Sequence, residues 1–350
     1  MTAGRIHVVV GGQFGSEAKG HVADQIHRRH KIEAAVRVGG PNAGHTVIDK
    51  NGVRFPLRTI PVAAATDHNT WLVISAGSEV EIPVLFHEID LLEQAGHPVR
   101  NRLIIDREAT VIEQRHIDQE KQRALHENIG STGKGIGAAR ADRMMRGAKV
   151  AREFPELWDY LGDTQSFLNR MHQADGDILI EGTQGYHLGM TAGHYPRSTT
   201  NNCRAIDCIS QAGVTPLRLP DTWLVFRTYP IRVAGNSGPM ENEIDWEILE
   251  AQSEGYIQPE RTTVTQKVRR VAEWSPDRAK QAIEGNGGPN HPSLHCALMF
   301  IDYFDSTIAG TVDLDRVMHS RAWSDITAIE ADLGVEFAMF GTGPDTVVWR

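Results

Sequence analysis

The residues with the most chemistry in them lie in four glycine-rich stretches. Gly11-Gly12-Gln13-Phe14-Gly15-Ser16-Glu17-Ala18-Lys19-Gly20 follows an apolar run and opens a helical pattern. Glycines at such a junction let backbone N–H groups turn toward an anion at a helix N-terminus. Lys19 adds a positive charge, and the combination is the physics of phosphate binding. The spacing is not that of a Walker A loop, because Lys19 precedes Gly20 and His21 follows it, and GxGxxG is absent. A tight strand-to-helix turn with no ligand is the alternative. Arg37-Val38-Gly39-Gly40-Pro41-Asn42-Ala43-Gly44-His45-Thr46 offers Asn42 to read a purine edge and His45 as a proton donor. The alternative there is a solvated loop histidine, one of 16. Ser131-Thr132-Gly133-Lys134-Gly135-Ile136-Gly137 supplies hydroxyls and amides suited to a second phosphate. Glu181-Gly182-Thr183-Gln184-Gly185 is followed by Tyr195-Pro196-Arg197-Ser198-Thr199-Thr200-Asn201. Two phosphate-type loops imply two nucleotides, or a nucleotide and a phosphorylated substrate. That points to phosphoryl transfer and away from hydride chemistry.

Loops of this kind need a rigid scaffold behind them. Ile6–Val10, Trp71–Ile74, Leu103–Ile105, Ile178–Ile180 and Leu224–Phe226 read as short buried strands. Helical patterns cover roughly 18–29, 83–95, 111–127, 164–173, 205–212 and 325–332. Strands alternating with helices predict an α/β fold with a mainly parallel central sheet flanked by helices. No repeat or linker divides the 350 residues, so a single domain over 1–350 is expected, with Gly285–Pro292 as a surface loop. Lys and Arg total 36 against 45 Asp and Glu, a formal charge of −9, which argues against nucleic-acid or anionic-membrane partners. No apolar run is long enough to span a bilayer, and Met1–Val10 lacks the regions of a signal peptide. Cys203, Cys208 and Cys296 form no CxxC pair. A cytoplasmic protein is expected.

Taken together, the motifs resemble those of the adenylosuccinate synthetase family, the ligases joining aspartate to a 6-oxopurine nucleotide. Gly12–Gly20 resembles the family's GQWGDEGKG loop, Asn42–Thr46 its NAGHT motif and Thr132–Gly137 its TGRGIG loop. Glu181–Gly185 with Tyr195-Pro196 and Thr199 is similar to EGAQG…YP..T, and Thr342-Gly343-Pro344-Asp345 to TGPDR. The matches run in order along nearly the whole chain. The resemblance implies a P-loop-like nucleotide site, Mg²⁺ as cofactor, and transfer of a γ-phosphoryl group to O6 of the purine. The amine of aspartate then displaces that group.

At one position the chain departs from the pattern. The family's catalytic Asp, which accepts the N1 proton and meets the metal, is Ser16 here. A carboxylate beside N1 also crowds C2, where guanine carries an amino group. A shorter, neutral hydroxyl leaves room for that amine and accepts from it. The replacement resembles a phage-type branch that acts on dGMP and makes N6-succino-2-amino-2'-deoxyadenylate for 2-aminoadenine DNA. The cytoplasm would then be that of a host. Serine is too weak a base to take the N1 proton itself. Either Mg²⁺ and Lys19 ease its loss, or a water or Ser16 relays it.

Residue by residue, the resemblance gives Ser16, Lys19 and His45 catalytic roles. The donor triphosphate falls to Ser16, Glu17, Ala18, Lys19, Gly20, His45, Thr46, Asp302, Gly343 and Pro344. Asn42, Thr132, Gln184, Thr199, Val233 and Ser16 are assigned to dGMP, with Arg146 reaching across a homodimer to the partner's substrate. Ser16 and the Gly44 carbonyl are assigned to Mg²⁺. Thr262–Arg270 corresponds to the family's TTGRRRR aspartate loop without its glycine, and Thr263, Val264 and Arg269 are the expected L-aspartate residues. The family's guanine-reading TKLD is Met299-Phe300-Ile301-Asp302 here, which keeps the Asp and loses the Lys. ATP or dATP is therefore expected as donor in place of GTP. Three functions stay open: a dGMP:aspartate ligase, an ordinary synthetase acting on IMP, and an inactive nucleotide sensor.

Overall fold

A computed structural model describes residues 3–261 and 267–350 of the chain. β1 (Ile6–Gly11) is buried at every position. Ile6, Val8 and Val10 join one hydrophobic core and Val9 another on the opposite face. Burial on both sides explains an almost unbroken apolar run where a one-sided strand would alternate. α1 (Lys19–Arg29) carries His27, Arg28 and Arg29 in its last turn, where positive charge suits the helix dipole. It leads to β2 (Ile32–Arg37) and to the antiparallel pair β3 (His45–Ile48) and β4 (Arg54–Leu57), which packs on α1.

β5 (Trp71–Ile74), β6 (Glu79–Val80), α2 (Ile82–Gln94), β7 (Leu103–Asp106) and β8 (Thr110–Val111) come next, with β6 and β8 pairing in parallel. α3 (Gln114–Gln122), α4 (Leu125–Ile129) and α5 (Ile136–Met144) form a helical excursion before β9 (Leu161–Gly162), α6 (Thr164–Gln173) and β10 (Asp177–Gly185). α7 (Ala205–Ala212) precedes β11 (Asp221–Arg227). β12 (Ile231–Arg232), β13 (Glu243–Ile244), α8 (Trp246–Gln252) and β14 (Arg270–Ala272) follow, their strands making a small antiparallel sheet in the order β12-β14-β13. α9 (Pro276–Glu284), β15 (Leu294–Met299), α10 (Leu314–Met318), α11 (Ala322–Leu333), β16 (Phe337–Gly341) and β17 (Val347–Trp349) complete the chain.

Ten strands form one sheet in the order β17-β16-β15-β11-β1-β10-β2-β5-β7-β9. Every pairing in it is parallel except β16 with β17. This is the α/β architecture expected from the sequence. β1 sits between β11 and β10, so the chain leaves the middle of the sheet in both directions. The carboxyl ends of these central strands are where such folds place ligands.

Most expected elements lie within a residue or two of their observed bounds, and the helix over 325–332 extends to Ala322–Leu333. Two depart furthest: the strand expected over 178–180 continues through Gly185 in β10, and the expected helix over 111–127 breaks up. Val111 belongs to β8, and the rest divides into α3 and α4 around Ala124, which adopts φ 48°. Val111 is drawn into strand pairing with Val80, and that tertiary contact overrides the helical pattern. The loop at 285–292 is observed as expected.

Candidate active site

The first glycine-rich loop leaves the end of β1 and is clamped to β11. Gly12 N–H donates to the Val225 carbonyl at 2.8 Å. The Gln13 side chain both donates to the Arg227 carbonyl and accepts from the Arg227 N–H, each at 3.0 Å. This amide continues the parallel ladder where the backbone has turned away. Beyond it, Glu17 is fully buried and folds back into the loop. Its Oε1 accepts from Gln13 N–H at 3.1 Å and Gly15 N–H at 2.7 Å, while Oε2 pairs with Lys19 Nζ at 2.7 Å. Two amides of the expected anion nest are thus already filled by a carboxylate. Lys19 is a paired, buried cation that does not stand free beside the loop. The open donors are those of the first turn of α1, which starts after Ala18 at φ 66° with no side-chain cap. Ser16 is exposed, at φ 61°.

The 131–137 loop repeats the device. Buried Glu120 accepts from Gly137 N–H at 2.8 Å and Gly135 N–H at 3.0 Å, at the start of α5, so a carboxylate fills this nest too. Thr132 remains exposed. Neither glutamate was predicted to fill a nest. Glu17 lies inside its own motif, while Glu120 is a sequence-distant helical residue with no signal of its role.

His45 opens β3 at the bottom of this region. Its Cβ lies so close to α1 that a Cβ on Gly20 would meet it at 2.6 Å. Nδ1 contacts Arg37 Nη1 and lies 2.8 Å from Glu181 Oε2. Arg37 also reaches Glu181 Oε2 at 3.4 Å and the Ala43 carbonyl at 2.8 Å. Glu181 Oε1 accepts from Val62 N–H at 2.8 Å. Burial, with Arg37 and Lys19 nearby, holds the His45 imidazole well below its usual range, so it is neutral at pH 7. Burial pushes the Glu181 carboxyl up to about 7 against the opposing pull of Arg37 and the Val62 amide. His45 Nε2 is buried without a partner. Arg37 and Glu181 were absent from the expected site set. The signal available was that each opens one of the glycine-rich stretches, Arg37 at the end of β2 and Glu181 within β10.

Other expected residues, or their close chain neighbours, make contacts of their own. Gln184, at φ 65°, donates to Asn42 Oδ1 at 3.4 Å. The 128–137 loop abuts the turn that carries Val233: Asn236 Nδ2 donates to the Asn128 carbonyl at 2.7 Å, and Gly130 packs on Ser237. Arg197, two residues before Thr199, donates to Asn236 at 2.7 Å, and Arg140 of α5 reaches the Thr200 carbonyl at 3.2 Å. Arg269 donates from Nη1 to Ser16 Oγ at 2.8 Å, joining the first loop to the far side of the cleft. The buried Arg227 guanidinium backs that contact, bonding the Ser16 carbonyl at 3.1 Å and pairing with Glu260. Thr263 and Val264 lie outside the described residues.

Thr46 and Pro344 share a cavity of about 190 Å³ with His21 and Asp345. Gly343 precedes that turn at the end of β16. Asp302 is not part of the cavity. It is buried, accepts from Tyr256 OH at 2.7 Å, and burial lifts its carboxyl to about 6. Phe300 lies under the Arg227 guanidinium at 4.2 Å. Arg146 is set apart from all of these, exposed at φ 64° just beyond α5 beside the exposed Met144 and Met145. Gly44 is exposed next to His45. Among the described residues no cluster of His, Cys, Asp and Glu could hold a metal ion, and no helix is long and apolar enough to cross a membrane.

The adenylosuccinate synthetase family profile matches residues 8–154 and 148–287. The chain belongs to the adenylosuccinate synthetase family. The adenylosuccinate synthetase of Methanococcus aeolicus is 34% identical over 340 residues, covering 97% of this chain and 96% of that one. That of Thermococcus sibiricus is 34% identical over 341 residues with the same coverage. Among solved structures, the cyanophage S-2L succinoaminodeoxyadenylate synthetase, bound to dGMP and to dATP as an energy donor, superposes with a TM-score of 0.79 at 26% identity, covering 98% and 93% of the two chains. Adenylosuccinate synthetase from Plasmodium falciparum shares the fold, with a TM-score of 0.84 at 19% identity and 99% and 100% coverage. Membership in this family makes the chain a ligase of the kind that joins aspartate to a purine nucleotide.

Proposed function

We propose that this synthetase joins L-aspartate to C6 of dGMP, using ATP or dATP, and releases N6-succino-2-amino-2'-deoxyadenylate. The observation that carries the reading is Ser16. It is an exposed hydroxyl where the family motif has an Asp, and it is held by a cation, Arg269, at 2.8 Å. A guanine C2 amine is compatible with a small neutral acceptor there and is crowded by a carboxylate. The likeness to a synthetase solved with dGMP and dATP supports this acceptor and this donor class.

In this reading His45 donates a hydrogen bond to the bridging oxygen as the phosphoryl group moves to O6. Ala18, Lys19 and Gly20, where α1 begins, and Thr46 hold the donor phosphates. Asn42, Gln184, Thr132, Thr199 and Val233 surround the acceptor nucleotide, and Arg269 meets the aspartate carboxylate. Gly343 and Pro344, and Asp302 outside the Pro344 cavity, are assigned to the donor nucleotide. For Mg²⁺, Ser16 Oγ and the Gly44 carbonyl are hard oxygen donors. The lack of a carboxylate cluster among the described residues fits an ion held mostly by phosphates. When bound, the ion neutralises phosphate charge during transfer.

The second reading, an ordinary synthetase acting on IMP, is favoured by the archaeal relatives, which are named adenylosuccinate synthetases. Purified protein given aspartate, Mg²⁺ and ATP with either dGMP or IMP decides between them. Succinyl-adduct formation with dGMP is expected. Turnover confined to IMP overturns the proposal, and no turnover with either acceptor favours an inactive nucleotide-binding homologue.

A further inference from the structure

The Arg37–Glu181–His45 cluster is a deeply buried polar assembly, and its geometry constrains where one proton sits. Arg37 and Glu181 are 2% and 0% exposed, at the ends of β2 and within β10. Both present their polar groups to the same ring atom, His45 Nδ1. Arg37 has only protons to offer. A proton on Nδ1 would place donor against donor at that contact, so the guanidinium forces Nδ1 to accept. The Glu181 carboxyl lies 2.8 Å from Nδ1, a separation that needs one proton between the two atoms. With Nδ1 an acceptor, that proton belongs to Glu181, and the Arg37 and Glu181 donors share the single in-plane lone pair of Nδ1 in a three-centre bond. The carboxyl is oriented for this, because Val62 N–H fixes Oε1 and leaves Oε2 to face the ring. Asp24, on α1, adds a negative charge that helps Glu181 keep its proton.

We infer that Glu181, with Arg37, is a positioning residue that fixes His45 as the Nε2–H tautomer, making the unpartnered Nε2 a neutral hydrogen-bond donor toward bound nucleotide. The inference rests on the proposed role of His45 for its consequence in catalysis, though not for the tautomer itself. No proton leaves the ring: Glu181 donates to Nδ1, and Nε2–H donates to the oxygen on which charge develops. A neutral donor suits a cleft already holding Lys19 and Arg37, where an imidazolium would add a further cation.

The test has two arms. In ¹⁵N-histidine NMR of the unliganded protein, with His45 assigned by difference from H45N, the ring should report Nε2–H. A ring protonated at Nδ1 in the wild type overturns the inference whatever the substrate proves to be. In the kinetic arm, run with whichever of dGMP or IMP is turned over, E181L should lower kcat at least tenfold with acceptor KM changed less than threefold. E181Q should rescue most of that loss, because its amide oxygen accepts from Val62 while its NH₂ donates to Nδ1. E181Q as impaired as E181L also overturns it. Should E181L fail to fold, the tautomer in the wild type and in E181Q decides alone.

Discussion

Ser16 and His45 sit on opposite sides of the same cleft problem: one sets what fits, the other what reacts. Ser16 adopts a left-handed backbone conformation, at φ 61°, which Asp tolerates more readily than most side chains. S16D should therefore leave the loop folded while placing a carboxylate beside Arg269, where an ion pair replaces the present hydroxyl contact. We expect kcat/KM for dGMP to fall by on the order of 100-fold, with IMP affected far less, measured with both acceptors on one preparation. Unchanged dGMP kinetics would remove the steric argument. H45A should cost on the order of 100- to 10,000-fold in kcat while donor binding, followed by calorimetry, stays within a few-fold. Loss of binding in step with rate would make His45 structural.

At the scale of elements, the close approach of α1 to β3 is what places His45. Gly20 has no room for a side chain, since a Cβ would lie 2.6 Å from that of His45. G20A should destabilise the protein by about 1–3 kcal/mol in urea unfolding and depress kcat by displacing the imidazole. A silent G20A would mean that α1 slides freely over β3. The turn after β15 that carries Asp302 offers a pH test. Its carboxyl is raised to about 6 in the folded chain, above the usual aspartate value, so folding takes up a proton. That contribution is complete below about pH 4 and is lost as pH rises through 6, up to about 3 kcal/mol by pH 8. D302N keeps an acceptor for Tyr256 and should flatten this slope, with a higher Tm than the wild type at pH 8. Parallel Tm-versus-pH curves for the two proteins would contradict it.

At the scale of the whole molecule, the exposed end of α5 stands apart from the cleft of its own chain. Met144 and Met145 are 78% and 81% exposed beside Arg146, an apolar patch of the kind that marks an interaction surface. If Arg146 completes the partner's site, R146A and H45A should each be nearly inactive alone. A heterodimer purified from co-expression of the two should regain activity, because one of its sites then has both intact residues. No recovery in a verified heterodimer would confine Arg146 to its own chain.

The linear pattern determined the class of fold and the neighbourhood of the cleft. Apolar runs such as Ile6–Val10 are buried on both faces wherever they go, and glycines at strand ends mark where backbone must turn. It also carried the exchange at Ser16, which is legible because motif spacing survives without coordinates. Only tertiary structure decided what fills the glycine-rich nests. Glu17 and Glu120 compete for the amides a phosphate was expected to take, and whether a carboxylate reaches a given N–H depends on how a helix folds back. The pairing of Arg37 with Glu181 is likewise a fact of the sheet: these residues are far apart in the chain and become partners because β10 inserts between β1 and β2. Charge state follows from such burial and contact, and neither is written in the order of the residues.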